Sequence, residues 1–103
     1  MNRIAELAAL GQSCWIDSLS RHMIRGGELA RRVAEEGLTG VTSNPEIFEK
    51  SLAAGADYDA GIAREAAAGR TPAEIYERLA TDDIREACDI LRPVYDRTAG
   101  IDG

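Results

Sequence analysis

The sequence predicts an α/β fold with a parallel sheet, and three observations predict it. Two short stretches, residues 13–17 and 38–43, combine aromatic and β-branched residues between turn formers. Roughly twenty residues with helical periodicity lie between them, the crossover that a parallel βαβ unit requires. Everything after Pro45 reads as helix. A chain of this kind standing alone is expected to be mostly helical, with two short parallel strands and no third.

Taken in order, residues 2–10 form a first helix. Asn2 is placed to cap it, Ile4, Leu7 and Ala8 share an apolar face with Leu10 at its margin, and Gly11 ends it. The first strand, 13–17, closes on Asp17, because a buried strand ends before an acid. Residues 18–25 are ambiguous between loop and helical turn. They hold the only histidine, His22, which lies between arginines and is read as a surface residue. Gly26-Gly27 breaks the chain. Residues 28–36 make an amphipathic helix with Leu29 and Val33 inward, and Gly37 stops it in the position where a left-handed residue is favoured.

The second strand runs into Gly40-Val41-Thr42-Ser43-Asn44-Pro45, a strand-to-helix turn. Proline suits the first helical position, and Asn44 before it is held out of the α region and can cap. Glu46 and Glu49 fall in the early helix, where its dipole favours negative charge. The helix at 45–54 carries Ile47, Phe48 and Leu52, with a break at Gly55. Residues 57–68 follow, with Tyr58 and Ile62 on one face. Thr71-Pro72-Ala73-Glu74 combines a cap, a proline at the first position and a capping-box glutamate. Thr81-Asp82-Asp83 is expected to cap a further segment, and Pro93 to kink or shorten it. The tail from Thr98 to Gly103 has no pattern.

The bulk properties exclude several functions. A length of 103 residues allows at most one domain with a real core. A formal charge of −6 argues against nucleic-acid or acidic-membrane partners. No apolar run reaches membrane-span length, and the N-terminus has no signal-peptide pattern. Cys14 and Cys88 show no metal or redox spacing and are read as two buried free thiols in a reducing cytoplasm; no metal and no cofactor is expected.

Two short parallel strands do not make a sheet covered on both faces. The pattern therefore reads as the front of a larger α/β protein. By itself the 40–45 turn is an ordinary strand-to-helix connection. Its sharper reading is that Thr42, Ser43 and Asn44 lie at the C-terminal end of a parallel strand, where α/β barrels place their chemistry.

Gly40-Val41-Thr42-Ser43-Asn44-Pro45, followed by Ile47-Phe48-Glu49-Lys50, closely resembles the N-terminal signature of the transaldolases. Gly11-Gln12-Ser13-Cys14-Trp15-Ile16-Asp17 resembles that family's first strand. Glu74-Ile75-Tyr76-Glu77 and Leu91-Arg92-Pro93-Val94-Tyr95-Asp96 match further segments in the right order. The resemblance spans essentially the whole chain and is nearest to the bacterial branch common in actinobacteria. Glu46 departs from it, where a small residue is usual. The resemblance implies the N-terminal portion of a (β/α)8 barrel, with residues 1–103 as a single partial domain: an N-terminal helix and the first two β/α units. It also implies a cytoplasmic transferase of the pentose phosphate pathway, moving a dihydroxyacetone unit from a ketose phosphate to an aldose phosphate through a lysine Schiff base.

On that resemblance Asp17 is the acid/base aspartate of carbon–carbon cleavage and formation, and Asn44 holds hydroxyls of the dihydroxyacetone unit. Thr42 and Ser43 line the same pocket. These residue types suit the chemistry, because retro-aldol cleavage needs a base at a hydroxyl and the intermediate needs neutral groups that fix it. The Schiff-base lysine, the water-positioning glutamate and the phosphate-binding arginines of the family belong to later strands. Lys50, the only lysine, has Glu46 and Glu49 beside it and reads as a surface residue. Three hypotheses follow: the N-terminal part of a transaldolase, inactive by itself; a non-catalytic barrel fragment that pairs with itself or a partner chain; and an unrelated small helical binding protein. The missing C-terminal barrel portion and a second copy of the chain are the expected partners.

Overall fold

The computed structural model describes residues 2–54 and 56–103, without the side chain of Ala54. The break expected at Gly55 lies outside the described residues. Helix α1 (Arg3–Ala9) is followed by β1 (Trp15–Ile16), α2 (Arg21–Arg25) and α3 (Glu28–Arg31), which widens into a π-helical turn over Arg32–Glu36. Then come β2 (Gly40–Val41), α4 (Pro45–Ala54), α5 (Asp59–Ala67) and α6 (Pro72–Arg97).

The strands are parallel, with Trp15 opposite Gly40 and Ile16 opposite Val41. They are shorter than the sequence suggests, but backbone pairing continues past both ends. The Thr39 amide donates to the Cys14 carbonyl at 3.0 Å, and the Thr42 amide to the Ile16 carbonyl at 2.9 Å. Gly40 is required by its neighbour: a Cβ there would stand 2.4 Å from the Trp15 ring. The stretch left ambiguous resolves as α2, because the Ser20 hydroxyl accepts from the Met23 amide at 3.2 Å and caps it. The expected caps at Asn2 and Thr71 form, and Gly37 adopts φ 85° where the helix ends.

Two apolar clusters share α6. Leu19, Met23, Ile24, Leu29, Leu38 and Ala87 pack where α2 and α3 meet it, and Phe48, Tyr58 and Leu79 join α4 and α5 to its first half. The molecule is elongated, 50 × 25 × 21 Å, and its radius of gyration of 15.4 Å exceeds the ~13 Å of a compact chain of this size. No helix among the described residues is long and apolar enough to cross a membrane.

Four sequence readings are corrected. Helix α6 runs unbroken for 26 residues through Asp82 and Asp83. Asp83 is no cap. It repeats the spacing of Leu79, Ala87 and Leu91, and is buried with them because a cation meets it there. Pro93 does not end the helix, which continues to Arg97; it lies in the last turns, where one lost backbone bond disturbs little beyond it. The cysteines are not both buried: Cys14 is half-buried and Cys88 exposed on α6. The apolar face of α1 contributes nothing to the core, and Leu7 and Leu10 are exposed.

The tail, patternless in sequence, docks on the strands. Asp102 accepts from the Ser13 hydroxyl at 2.6 Å and the Trp15 indole at 3.2 Å, and the Gly103 amide donates to the Thr39 carbonyl at 3.0 Å.

Candidate functional site

The parallel register brings the residues after the two strands side by side. Asp17 follows Ile16, Thr42 follows Val41, and Ile16 pairs with Val41. The Thr42 hydroxyl donates to a carboxylate oxygen of Asp17. Both residues are exposed, so water and ligands reach the pair. The carboxylate keeps its second oxygen for another donor.

Asn44 is half-buried, and its side-chain oxygen is committed to α4. It accepts from the Glu46 amide at 3.0 Å and from the Ile47 amide at 3.4 Å. Backbone amides only donate, so the oxygen must face the helix, and the NH2 group is what Asn44 can offer a ligand. Pro45 supplies the first helical residue, and the Asn44 carbonyl accepts from Phe48 at 2.9 Å. Ser43 is exposed. With Asn44 it walls a cleft of about 140 Å³ whose apolar sides include Phe48, Tyr76 and Ile84. Asp17 and Thr42 are not among its walls, so the four candidate residues divide into a hydrogen-bonded pair and a cleft.

Lys50 stands apart. Its side chain is 76% exposed and lies 3.6 Å from the Glu46 carboxylate one turn back. Glu46, the departure from the transaldolase pattern, is therefore a surface residue engaged with another. Among the described residues no group of three or more histidine, cysteine, aspartate or glutamate side chains comes together to hold a metal ion.

Sequence reasoning missed a buried polar group behind these residues. The Arg21 guanidinium donates to Asp83 at 2.8 Å. The Tyr58 hydroxyl donates to the other Asp83 oxygen at 2.6 Å and accepts from the Arg21 backbone amide at 2.9 Å. Arg21 also lies over the Tyr58 ring, 4.7 Å from its centre. Burial, and secondarily the Asp83 carboxylate, push the Tyr58 phenol well above its ordinary range, so it remains a donor. One signal was available: Asp83 falls on the apolar stripe of α6 at positions 79, 83, 87 and 91. Nothing in the sequence named its partners.

A parallel strand pair with an aspartate, two hydroxyls and an amide at its C-terminal ends defines an α/β protein with polar groups where such sheets handle small molecules. The chain belongs to the transaldolase/fructose-6-phosphate aldolase family, which matches residues 14–103. It is 50% identical over 102 residues to a transaldolase of Trichodesmium erythraeum, covering 99% of this chain and 27% of that protein. It is 46% identical over 103 residues to a transaldolase of Thiobacillus denitrificans, covering 100% and 29%. Identity to a Mycobacterium marinum transaldolase is 42% over 100 residues, covering 97% and 27%. The chain thus spans little more than a quarter of the length of these relatives.

Proposed function

We propose that this chain supplies the first two β/α units of a transaldolase barrel, and with them the proton-handling and hydroxyl-holding groups of dihydroxyacetone transfer between sugar phosphates. The observation that carries the reading is the Asp17–Thr42 hydrogen bond across the ends of adjacent parallel strands. In this reading Asp17 takes or returns the proton of the substrate hydroxyl as the carbon–carbon bond breaks or forms. Thr42 orients that carboxylate. Asn44, its oxygen tied to α4, donates its amide hydrogens to hydroxyls of the three-carbon unit, and Ser43 adds a hydroxyl on the same side.

The covalent step needs an amine with lowered basicity, obtained by burial or a neighbouring cation. Lys50 has neither: it is exposed and beside a carboxylate. We therefore expect the 103-residue chain alone to lack transaldolase activity. General acid–base help is worth about 10²–10⁴-fold, short of the ~10⁶-fold or more typical of enzymes. Borohydride treatment with fructose 6-phosphate is expected to trap no adduct on the isolated chain. Adding a chain that carries the remaining strands is expected to restore turnover, which Asp17→Asn then sharply reduces. An adduct on the isolated chain that disappears with Lys50→Met overturns this reading.

A second reading, self-association of the barrel fragment, is favoured by the elongated shape and by the exposure of Trp15, Tyr95 and Ile101. Light scattering over micromolar concentrations tests it: a dimer or larger species supports the reading, and a monomer throughout rejects it.

A further inference from the structure

We infer that Arg21, clamped by Asp83 and Tyr58, is a positioning residue for the Asp17 end of β1, setting the geometry in which Asp17 meets Thr42; its relevance to catalysis rests on the role proposed for Asp17 above. The chain between the two is short. Only Ser18, Leu19 and Ser20 intervene, Leu19 is buried in the first apolar cluster, and Ser20 caps α2. The near end of this segment is held by an exposed hydrogen bond, for which water competes.

The far end is held differently. Both the peptide and the side chain of Arg21 are bound, the amide to the Tyr58 hydroxyl and the guanidinium to Asp83. Arg21, Tyr58 and Asp83 are 5%, 1% and 1% exposed, so water does not replace these bonds. A buried ionic network accepts one arrangement, where an apolar contact would tolerate several. Asp83 also walls the cleft that contains Ser43 and Asn44.

Gly61 is an independent sign that the fold makes room for this clamp. A Cβ on that residue would lie 2.9 Å from Leu79 and 3.4 Å from the Arg21 guanidinium. Helix α5 comes this close to α6 and Arg21 because residue 61 has no side chain.

The test uses the isotope-labelled 103-residue chain and its Tyr58→Phe variant, which keeps the ring and the Arg21–Asp83 pair. The expected result is retained helix content with displaced resonances of the Asp17 carboxyl carbon and Thr42, larger than those at Asp96 and Thr98 near the far end of α6. Val94→Ala, which removes a fully buried side chain of α6 that belongs to neither apolar cluster, is expected to leave the Asp17 and Thr42 resonances in place. Should Tyr58→Phe prove unfolded, Arg21→Lys serves in its stead, with the same displacement expected. Unmoved Asp17 and Thr42 resonances in a folded variant, or equal movement in Val94→Ala, overturn the inference. In a reconstituted active complex, Tyr58→Phe is expected to lower kcat with little change in KM, by about 10²-fold if Asp17 moves on the order of 1 Å. Failure of the unsubstituted complex to turn over counts against the proposed function, while the resonances still decide the inference.

Discussion

The open ends of the two strands and the clamp behind them use the same bonds in opposite ways. Asp17, Thr42 and Ser43 are exposed, and the Asp17–Thr42 bond competes with water. Arg21, Tyr58 and Asp83 have no such competition, and each is nearly inaccessible. A hydrogen bond exchanged against water contributes little net stability, whereas a buried charge left without its partner is expensive. The first arrangement leaves groups available to a ligand. The second holds the chain in place, and its cost on disruption is correspondingly larger.

The largest effect is expected of Asp83→Ala. It leaves the Arg21 charge buried and uncompensated, and is expected to cost about 3–5 kcal/mol in urea unfolding. A loss comparable to that of an exposed pair would show that the clamp does not differ from the strand ends. Tyr58→Phe removes one hydroxyl and leaves two groups short of a partner, with an expected loss of about 1–3 kcal/mol.

The same phenol adds a pH dependence. Its folded value is raised above the ordinary 10.0, first by burial and then by Asp83. The unfolded chain therefore releases this proton before the folded one does. The stabilisation is fully present below 10.0 and is lost as pH rises beyond it. Alkaline unfolding series should show the advantage of the unsubstituted protein over Tyr58→Phe shrinking in that range. An advantage that grows with pH would contradict the assignment.

On the exposed side, Thr42→Val is expected to cost at most about 1 kcal/mol while displacing the Asp17 carboxyl resonance. Lys50→Met should be smallest of all, within about 0.5 kcal/mol by thermal or urea unfolding, since its ion pair with Glu46 is solvated.

Much of the site's framework was legible because its signals are local. Asn44-Pro45 announces a capped helix from two neighbouring residues, and the cap forms as read. Aromatic and β-branched residues between turn formers mark the two strands, and their parallel direction follows from a helical crossover. Asp83 shows where such reading stops. Beside Thr81 and Asp82 it has the chemistry of a cap, and only the arrival of Arg21, sixty-two positions away, makes its burial tolerable. The tail was opaque for a similar reason, since Asp102 is defined by Ser13 and Trp15 at the other end of the chain.

The sequence set the two strands and the helical crossover between them, the caps at Asn2, Asn44 and Thr71, and the presence of a single lysine flanked by acids. These depend on backbone preferences and on contacts within a turn or two. Tertiary structure alone decided that Asp17 meets Thr42 and that α6 passes through Asp83 and Pro93 unbroken. It also decided that Cys88 faces outward and that the tail closes on Thr39. The reason is the same in each case: a polar group's fate depends on which distant partner shares its burial, and that pairing is a property of the packed chain.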